Sequence, residues 1–178
     1  MKKAFVLGST GQDGSYMCEL LLKKRYKVYA LVRKSATGNT KNIDHLINDK
    51  KISDKSFFLV KGDLNDHNSI RNIISSVKPN EIYNFADQDH VGWSFAIPSY
   101  SLMTTSHSLI NILESIKSTN KNIKYFHPLS SNMFGKTKLK MQNESTPFNP
   151  QSVYAISKVT CFHLSNLYRN VYGLKIYN

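Results

Sequence analysis

Gly8-Ser9-Thr10-Gly11-Gln12-Asp13-Gly14 lies between an apolar run, residues 4–7, and a segment with helical apolar spacing, residues 16–22. Glycines placed between a strand and a helix allow a tight bend, let backbone N–H groups approach a pyrophosphate, and let the helix pack closely on the strand. The positive end of the helix then faces the phosphates. We predict a dinucleotide-binding turn here, against the alternative of an ordinary strand-to-helix turn punctuated by glycines.

Strands and helices alternate on both sides of this turn. The predicted strands are 3–8, 27–32, 57–61, 81–85, 124–130 and 174–178, and the predicted helices are 13–24, 44–48, 68–77, 101–118 and 152–172. This order is typical of a doubly wound parallel sheet in a three-layer α/β/α domain, the NAD(P)-binding Rossmann fold. We predict a single such domain over residues 1–178. Pro128 conflicts with the fifth strand because proline cannot donate a ladder hydrogen bond, so we expect a bulge or poor pairing there.

The composition excludes several classes of protein. The formal net charge is +12, but the cations are scattered and there is no basic helix with interleaved aromatic residues. We therefore predict solvated surface lysine rather than a nucleic-acid site, and the same charge suits a polyanionic substrate such as a sugar nucleotide. No apolar run approaches the roughly 18 residues of a membrane span. Residues 1–3 lead directly into the first predicted strand, without the pattern of a secretory leader. We therefore expect a cytoplasmic protein.

Cys18 and Cys161 are the only cysteines, and both lie inside apolar helical patterns. We predict reduced core thiols, with no disulfide and no metal site.

Basic residues follow the second predicted strand. An NAD-selective fold usually carries an acidic residue here to hold the ribose 2′-hydroxyl, whereas Arg33 and Lys34 favour a 2′-phosphate. We therefore predict NADP, with a solvated basic pair as the alternative. Asp63 and Leu64 follow the third predicted strand, where the adenine is expected, although Gly62-Asp63 would also begin a plain turn.

Tyr154 and Lys158 are one helical turn apart, so the phenol and the ammonium share a face. A nearby cation favours the phenolate, which can take a proton from a sugar hydroxyl while hydride leaves for the nicotinamide. Ser130, at the end of the fifth predicted strand, can hydrogen-bond the same hydroxyl. Tyr-x-x-x-Lys alone is common in helices and does not indicate an active site. It predicts one here because the glycine turn and Ser130-Ser131 precede it.

Together these residues resemble the extended short-chain dehydrogenase/reductases, and within them the GDP-mannose 4,6-dehydratases. The resemblance covers essentially the whole chain. The glycine turn and Tyr-x-x-x-Lys mark only the superfamily. The dehydratase branch is indicated by the runs Gly11–Tyr16, Gln88–Val91 and Thr146–Phe148.

The resemblance implies conversion of GDP-mannose to GDP-4-dehydro-6-deoxymannose with internal redox cycling of NADP. Tyr154, supported by Lys158 and Ser130, would assist oxidation at C4, water would leave from C6, and the hydride would return to C6. The segment 33–42 would contact other subunits of a homo-oligomer. The cofactor contacts would fall on Gly8, Ser9, Thr10, Gly11, Gln12, Asp13, Gly14, Arg33, Asp63, Leu64, Phe85, Ala86, Asp87, Gln88, Asp89, Tyr100 and Lys158.

Several positions depart from the family. Asn132 stands where the family has the glutamate that removes the C5 proton, and a carboxamide cannot take that proton at neutral pH. Such a loss typically costs on the order of 10²–10⁴ in rate. Asp87 replaces an alanine, and Asp89 replaces a small hydroxyl residue beside the expected phosphates. The remaining departures are Ser108 for a glycine and Pro128 and Leu129 for small residues.

The family continues past the position of Asn178 with a domain that covers the GDP-sugar, which we therefore expect to be missing here. A fragment, a decayed paralogue and one half of a split protein are the alternatives. Three functions follow: an NADP-dependent dehydratase by descent, a C4 ketoreductase or epimerase of a nucleotide sugar, and a catalytically inert nucleotide-binding module.

Overall fold

The computed structural model describes residues 1–36 and 38–178. The strands are β1 (Lys3–Leu7), β2 (Lys27–Val32), β3 (Phe57–Lys61), β4 (Glu81–Asn84), β5 (Lys124–Phe126) and β6 (Lys175–Tyr177). The α-helices are α1 (Gln12–Lys23), α2 (Asp44–Asn48), α3 (His67–Val77), α4 (Val91–Ala96), α5 (Pro98–Leu102), α6 (Ser108–Thr119) and α7 (Val153–Tyr172). Short 3-10 turns cover Lys41–Ile43 and Ser131–Phe134, and a π-helical turn covers Met103–His107.

The strands form one parallel sheet in the order β3-β2-β1-β4-β5-β6. The chain builds the sheet outward from β1 to β3, then crosses back and builds outward from β4. A crevice opens beyond the carboxyl ends of β1 and β4, where the direction of building reverses. The predicted doubly wound Rossmann fold is confirmed.

Helices cover both faces of the sheet. Phe5 and Leu7 of β1 belong to an apolar cluster that includes residues of α3, α6 and α7. The alternating residues Ala4 and Val6 belong to a second cluster with residues of α1 and α2. Because successive side chains of a strand point to opposite faces, this alternation gives the predicted three-layer arrangement.

Four predicted strands, the first, fourth, fifth and sixth, are shorter in the structure, and the fifth differs most. The fifth strand stops at Phe126 instead of residue 130, although the His127 N–H still donates to the Tyr177 carbonyl at 2.9 Å. Pro128 has no N–H to continue the ladder, so the strand ends before the proline instead of forming a bulge. The sixth strand covers Lys175–Tyr177 rather than 174–178.

The predicted helix 101–118 is interrupted. α5 leads into the π-helical turn Met103–His107, and α6 begins only at Ser108. The Ser108 hydroxyl donates to the Thr104 carbonyl at 2.5 Å within this turn. Helix α4, which ends at Ala96, was not predicted. Sequence periodicity does not show either feature, because a π-turn shifts the helical phase and α4 is only a short helix.

Both cysteines are free and buried, as predicted. Burial, assisted by the charge of Glu19, raises the pKa of Cys18 to about 12. Within residues 1–36 and 38–178, no cluster of side chains is suited to a metal ion. In the same residues, no helix has the length and apolar character needed to cross a membrane.

Candidate nucleotide-binding site

The glycine turn leaves no room for side chains at two positions. A Cβ at Gly8, where φ is +75°, would lie 2.4 Å from the Phe85 carbonyl oxygen, and a Cβ at Gly14 would lie 2.1 Å from the Gly8 carbonyl oxygen. Gly11 precedes α1 without a capping side chain, so N–H groups of the first helical turn are left for another partner. This geometry fits a phosphate held at a helix N-terminus.

A cavity of about 430 Å³, here called the Tyr154 cavity, joins the glycine turn to the predicted chemical residues. Tyr154 and Lys158 share the cavity wall, and the Lys158 Nζ lies 5.8 Å from the centre of the Tyr154 ring. Ser152 accepts a hydrogen bond from the Ala155 N–H at 3.1 Å and so starts α7 just before the tyrosine. The other lining residues are Gly8, Gly11, Gln12, Asp13, Gly14, Phe85, Asp87, Asp89, Pro128 and Leu129.

A second cavity of about 470 Å³, the Arg33 cavity, shares Gly8, Asp87 and Asp89 with the first. The Arg33 guanidinium donates to the Tyr100 hydroxyl at 3.2 Å, so a cation stands at the end of β2, as predicted. The wall also contains the predicted residues Thr10, Asp63, Leu64, Ala86 and Gln88.

A buried ionic cluster lies at the Tyr154 cavity. The Lys158 ammonium donates to the Asp87 carboxylate at 2.5 Å and to the Pro128 carbonyl at 2.8 Å. His127 Nε2 contacts the same Asp87 oxygen at 2.7 Å. The side chains of Asp87, His127 and Lys158 are at most 5% exposed. Asp87 follows β4 and His127 follows β5, and these strands are neighbours, so the sheet places the two side by side.

Burial alone would raise the pKa of Asp87, but His127 and Lys158 outweigh it and hold the pKa below its ordinary value. The carboxylate in turn affects its neighbours. Burial and, after it, the Asp87 charge raise the pKa of Cys161 to about 12, and the same causes raise the pKa of Tyr125 well above its ordinary value. The cluster therefore contains a carboxylate at neutral pH, and the Cys161 thiol is protonated.

Three predicted site residues are not in the cavity walls. Among the described residues, the segment after β5 contributes Pro128 and Leu129 to the Tyr154 cavity, not Ser130 or Asn132. The Ser130 hydroxyl accepts hydrogen bonds from the backbone N–H and side-chain amide of Asn132, at 3.2 and 3.3 Å. The Ser9 side chain is buried and its hydroxyl donates to the Leu31 carbonyl at 2.7 Å, which connects the glycine turn to β2.

Sequence reasoning missed the role of His127. One feature could have identified it, since His127 and Asp87 both follow strands that a doubly wound fold places next to each other. The π-helical turn was also missed; its Thr104 lines the Arg33 cavity and accepts from Asn65 at 3.2 Å. No feature of the sequence points to that residue.

Comparison with known proteins gives the family. The profile described as "GDP-mannose 4,6 dehydratase" matches residues 5–178. GDP-mannose 4,6 dehydratase 1 of Arabidopsis thaliana is 42% identical over 178 residues, covering 97% of this chain and 49% of the relative. GDP-mannose 4,6-dehydratase of Vibrio cholerae is 37% identical over 175 residues, covering 97% of this chain and 47% of the relative.

Solved structures agree on the architecture. A dTDP-glucose 4,6-dehydratase from Streptomyces venezuelae, solved with NAD and TYD bound, superposes with a TM-score of 0.84 at 25% identity, covering 98% of this chain and 53% of that chain. A UDP-glucose 4-epimerase from Brucella ovis in complex with NAD has a TM-score of 0.84 at 20% identity, covering 99% and 50%, and supports the fold alone. The chain spans about half the length of the curated relatives it matches. The profile match and these identities establish that the chain belongs to the GDP-mannose 4,6-dehydratase family.

Proposed function

We propose that this chain binds NADP across the Tyr154 and Arg33 cavities as the cofactor-binding half of a GDP-mannose 4,6-dehydratase. The observation that carries the proposal is the glycine turn. Side chains are excluded at Gly8 and Gly14 by backbone atoms, and the uncapped start of α1 shares a cavity with Tyr154 and Lys158. A side-chain-free surface and a free helix N-terminus suit a pyrophosphate.

Arg33 supports NADP over NAD. Its guanidinium lies beside Tyr100 at the end of β2, in the cavity that Asp63 and Leu64 also line. The arginine guanidinium matches the geometry of a 2′-phosphate. An NAD-selective site would instead have a carboxylate at this strand end, to accept a hydrogen bond from the ribose 2′-hydroxyl. The finer choice between the two nucleotides depends on this residue.

The bound nicotinamide would accept a hydride from the sugar and later return it. Tyr154 would take the proton of the C4 hydroxyl, because its phenol lies in the same cavity as the Lys158 cation. The Ser130 hydroxyl would hydrogen-bond the sugar hydroxyl only after the two hydrogen bonds that it accepts from Asn132 are broken. Asn132 supplies no carboxylate for the C5 proton, so dehydration would be slower by roughly 10²–10⁴-fold.

The test is calorimetric titration with NADP, NADPH, NAD and NADH. We expect tighter binding of the phosphorylated pair, and Arg33→Asp should reverse the preference by on the order of tenfold. Gly14→Ala should abolish binding, and its folding is checked by circular dichroism. Absence of binding by all four nucleotides contradicts the proposal.

A second candidate is a C4 ketoreductase or epimerase of a nucleotide sugar. The observation that favours it is that Tyr154 and Lys158 share a cavity while Asn132 replaces the base. Incubation with GDP-mannose in heavy water separates the two, because dehydration exchanges solvent hydrogen into C5 and simple C4 redox chemistry does not. Deuterium at C5 supports the dehydratase.

We also propose a homo-oligomer, as the family resemblance implies, and a cytoplasmic location. The predicted subunit contact is the segment 33–42, of which Thr37 lies outside the described residues. Light scattering of the purified chain tests the oligomeric state.

A further inference from the structure

Asp87 and Pro128 hold the ammonium that the proposed chemistry needs. Two of the three N–H groups of the Lys158 ammonium donate hydrogen bonds, one to the Asp87 carboxylate at 2.5 Å and one to the Pro128 carbonyl at 2.8 Å. Both acceptors follow the carboxyl ends of β4 and β5. The lysine is therefore drawn toward these strand ends, and one donor is left for Tyr154 or a ligand.

The direction of the hydrogen bond between His127 and Asp87 follows from the charge of the carboxylate. Asp87 is a carboxylate, so His127 Nε2 must be the donor in their 2.7 Å contact. His127 Nδ1 is buried and has no partner among the described residues. The Asp87 carboxylate is the counter-ion of the Lys158 ammonium in this cluster.

Asp87 also faces the site that anions would occupy. It lines both cavities, although its Oδ1 atom is buried and has no partner among the described residues. The protein thus places a fixed counter-ion against its own cation, in competition with any phosphate or ribose hydroxyl that approaches Lys158. A buried lysine with such a counter-ion attracts an external anion less than a free one.

We propose that Asp87, held by His127, is a positioning residue that draws Lys158 away from the nucleotide and weakens nucleotide binding through that lysine. This inference rests on the proposed function. Removing the charge of Asp87 should strengthen NADPH binding by on the order of tenfold, and the gain should depend on Lys158. A carboxylate that only repels phosphates would give the same gain whether or not the lysine is present.

The experiment is a double-mutant cycle with Asp87→Asn and Lys158→Met, read by NADPH titration. Asp87→Ala serves as a second variant if the first misfolds, because the family has alanine at this position. Asp89→Asn is the matched control, since Asp89 lines the same two cavities and makes no bond to Lys158. We expect coupling between Asp87 and Lys158 and none between Asp89 and Lys158. The inference is overturned if Asp87→Asn raises the NADPH affinity equally with and without Lys158→Met. It is also overturned if Asp87→Asn weakens NADPH binding.

A second measurement needs no nucleotide. The rate at which acetic anhydride modifies Lys158 is compared between wild type and Asp87→Asn by mass spectrometry, with the exposed Lys175 as internal reference. We expect several-fold faster modification of Lys158 and no change at Lys175. An unchanged rate at Lys158 overturns the inference. If no variant binds a nicotinamide nucleotide, the proposed function fails by itself, and the labelling still reports whether Asp87 restrains the lysine.

Discussion

The glycine turn and the ends of β4 and β5 line the same cavity, but they follow the family pattern to different degrees. The turn keeps the whole run Gly8–Gly14, and backbone atoms of the turn itself or just after β4 leave no room for a side chain at Gly8 and Gly14. The strand ends instead carry Asp87, Asp89 and Asn132, where the family has other residues. The requirement for close backbone approach is intact, whereas Asn132 replaces the base of the family, and Asp87 and Asp89 add negative charge at predicted cofactor contacts. We therefore expect the backbone geometry for a nucleotide to be better preserved than the chemistry of dehydration.

The largest expected effect tests the steric requirement of the turn. In Gly14→Ala the new Cβ would lie 2.1 Å from the Gly8 carbonyl oxygen, and backbone atoms cannot rotate aside. We expect the free energy of unfolding to fall by roughly 4 kcal/mol, because the turn and α1 must separate. Urea denaturation measures this change.

Gly173→Ala is the matched control for that prediction. Gly173 has a left-handed φ of +71°, but a Cβ there meets nothing within 4 Å. Only backbone strain remains, so the cost should be about 1 kcal/mol. Equal losses for Gly14→Ala and Gly173→Ala would contradict the steric interpretation of the turn.

The next effect concerns the buried ionic cluster. Lys158→Met leaves the Asp87 carboxylate buried with only His127 as a partner, and we expect a loss of about 3 kcal/mol in the free energy of unfolding. The double variant with Asp87→Asn removes both charges and should recover most of this loss. Thermal and urea unfolding of the three proteins measure the coupling. A double variant less stable than Lys158→Met would show that the cluster is not held by this ion pair.

The fold was predictable because it rests on local patterns. β2, β3 and α2 have the predicted bounds, and the alternation of strands and helices gave the sheet its parallel order. The early end of β5 was not predicted, because the pattern showed the conflict at Pro128 but not how it is resolved. The chain breaks the ladder and uses the proline carbonyl to bind Lys158.

The residues of the site were predictable to a smaller degree. Most of the predicted contacts line the two cavities, since a glycine turn and strand ends place them there. The cluster of Asp87 with His127 was not predicted, because the neighbouring strands β4 and β5 bring the two residues close but do not determine how their side chains are oriented. The bond from the Ser9 hydroxyl to the Leu31 carbonyl was not predicted either, because it depends on how the turn after β1 packs beside β2.

A smaller effect should appear on acidification. The pKa of Asp87 lies below its ordinary value of 3.8, because His127 and Lys158 outweigh the effect of burial. A pKa that is lowered in the folded state adds stability at pH values above the pKa of the unfolded state. This contribution is lost as the pH falls through the pKa of the folded state. The stability difference between wild type and Asp87→Asn should therefore be constant near neutral pH and shrink below pH 3.8.

Glu114→Gln is the control for the pH series. Hydrogen bonds from Lys117 and Tyr168 also lower the pKa of Glu114, but this carboxylate is close to solvent. Solvent screening should make its contribution much smaller than that of Asp87. Chemical denaturation at a series of pH values compares the two, and an equal pH dependence would contradict a special role for burial at Asp87.

The smallest effect separates charge acting through space from charge acting through Lys158. Asp89 is exposed and lines both cavities, so Asp89→Asn should tighten NADPH binding by only about threefold, because solvent and salt screen an exposed charge. Asp54→Asn is the control, since Asp54 lies in neither cavity wall and asparagine tolerates its φ of 55°. Titrations at rising salt should erase the gain at Asp89, whereas the gain at Asp87 should persist because that carboxylate is buried. If salt removes the gain in NADPH affinity of Asp87→Asn as readily as that of Asp89→Asn, both carboxylates act through solvent-screened charge, and the role of Lys158 is contradicted.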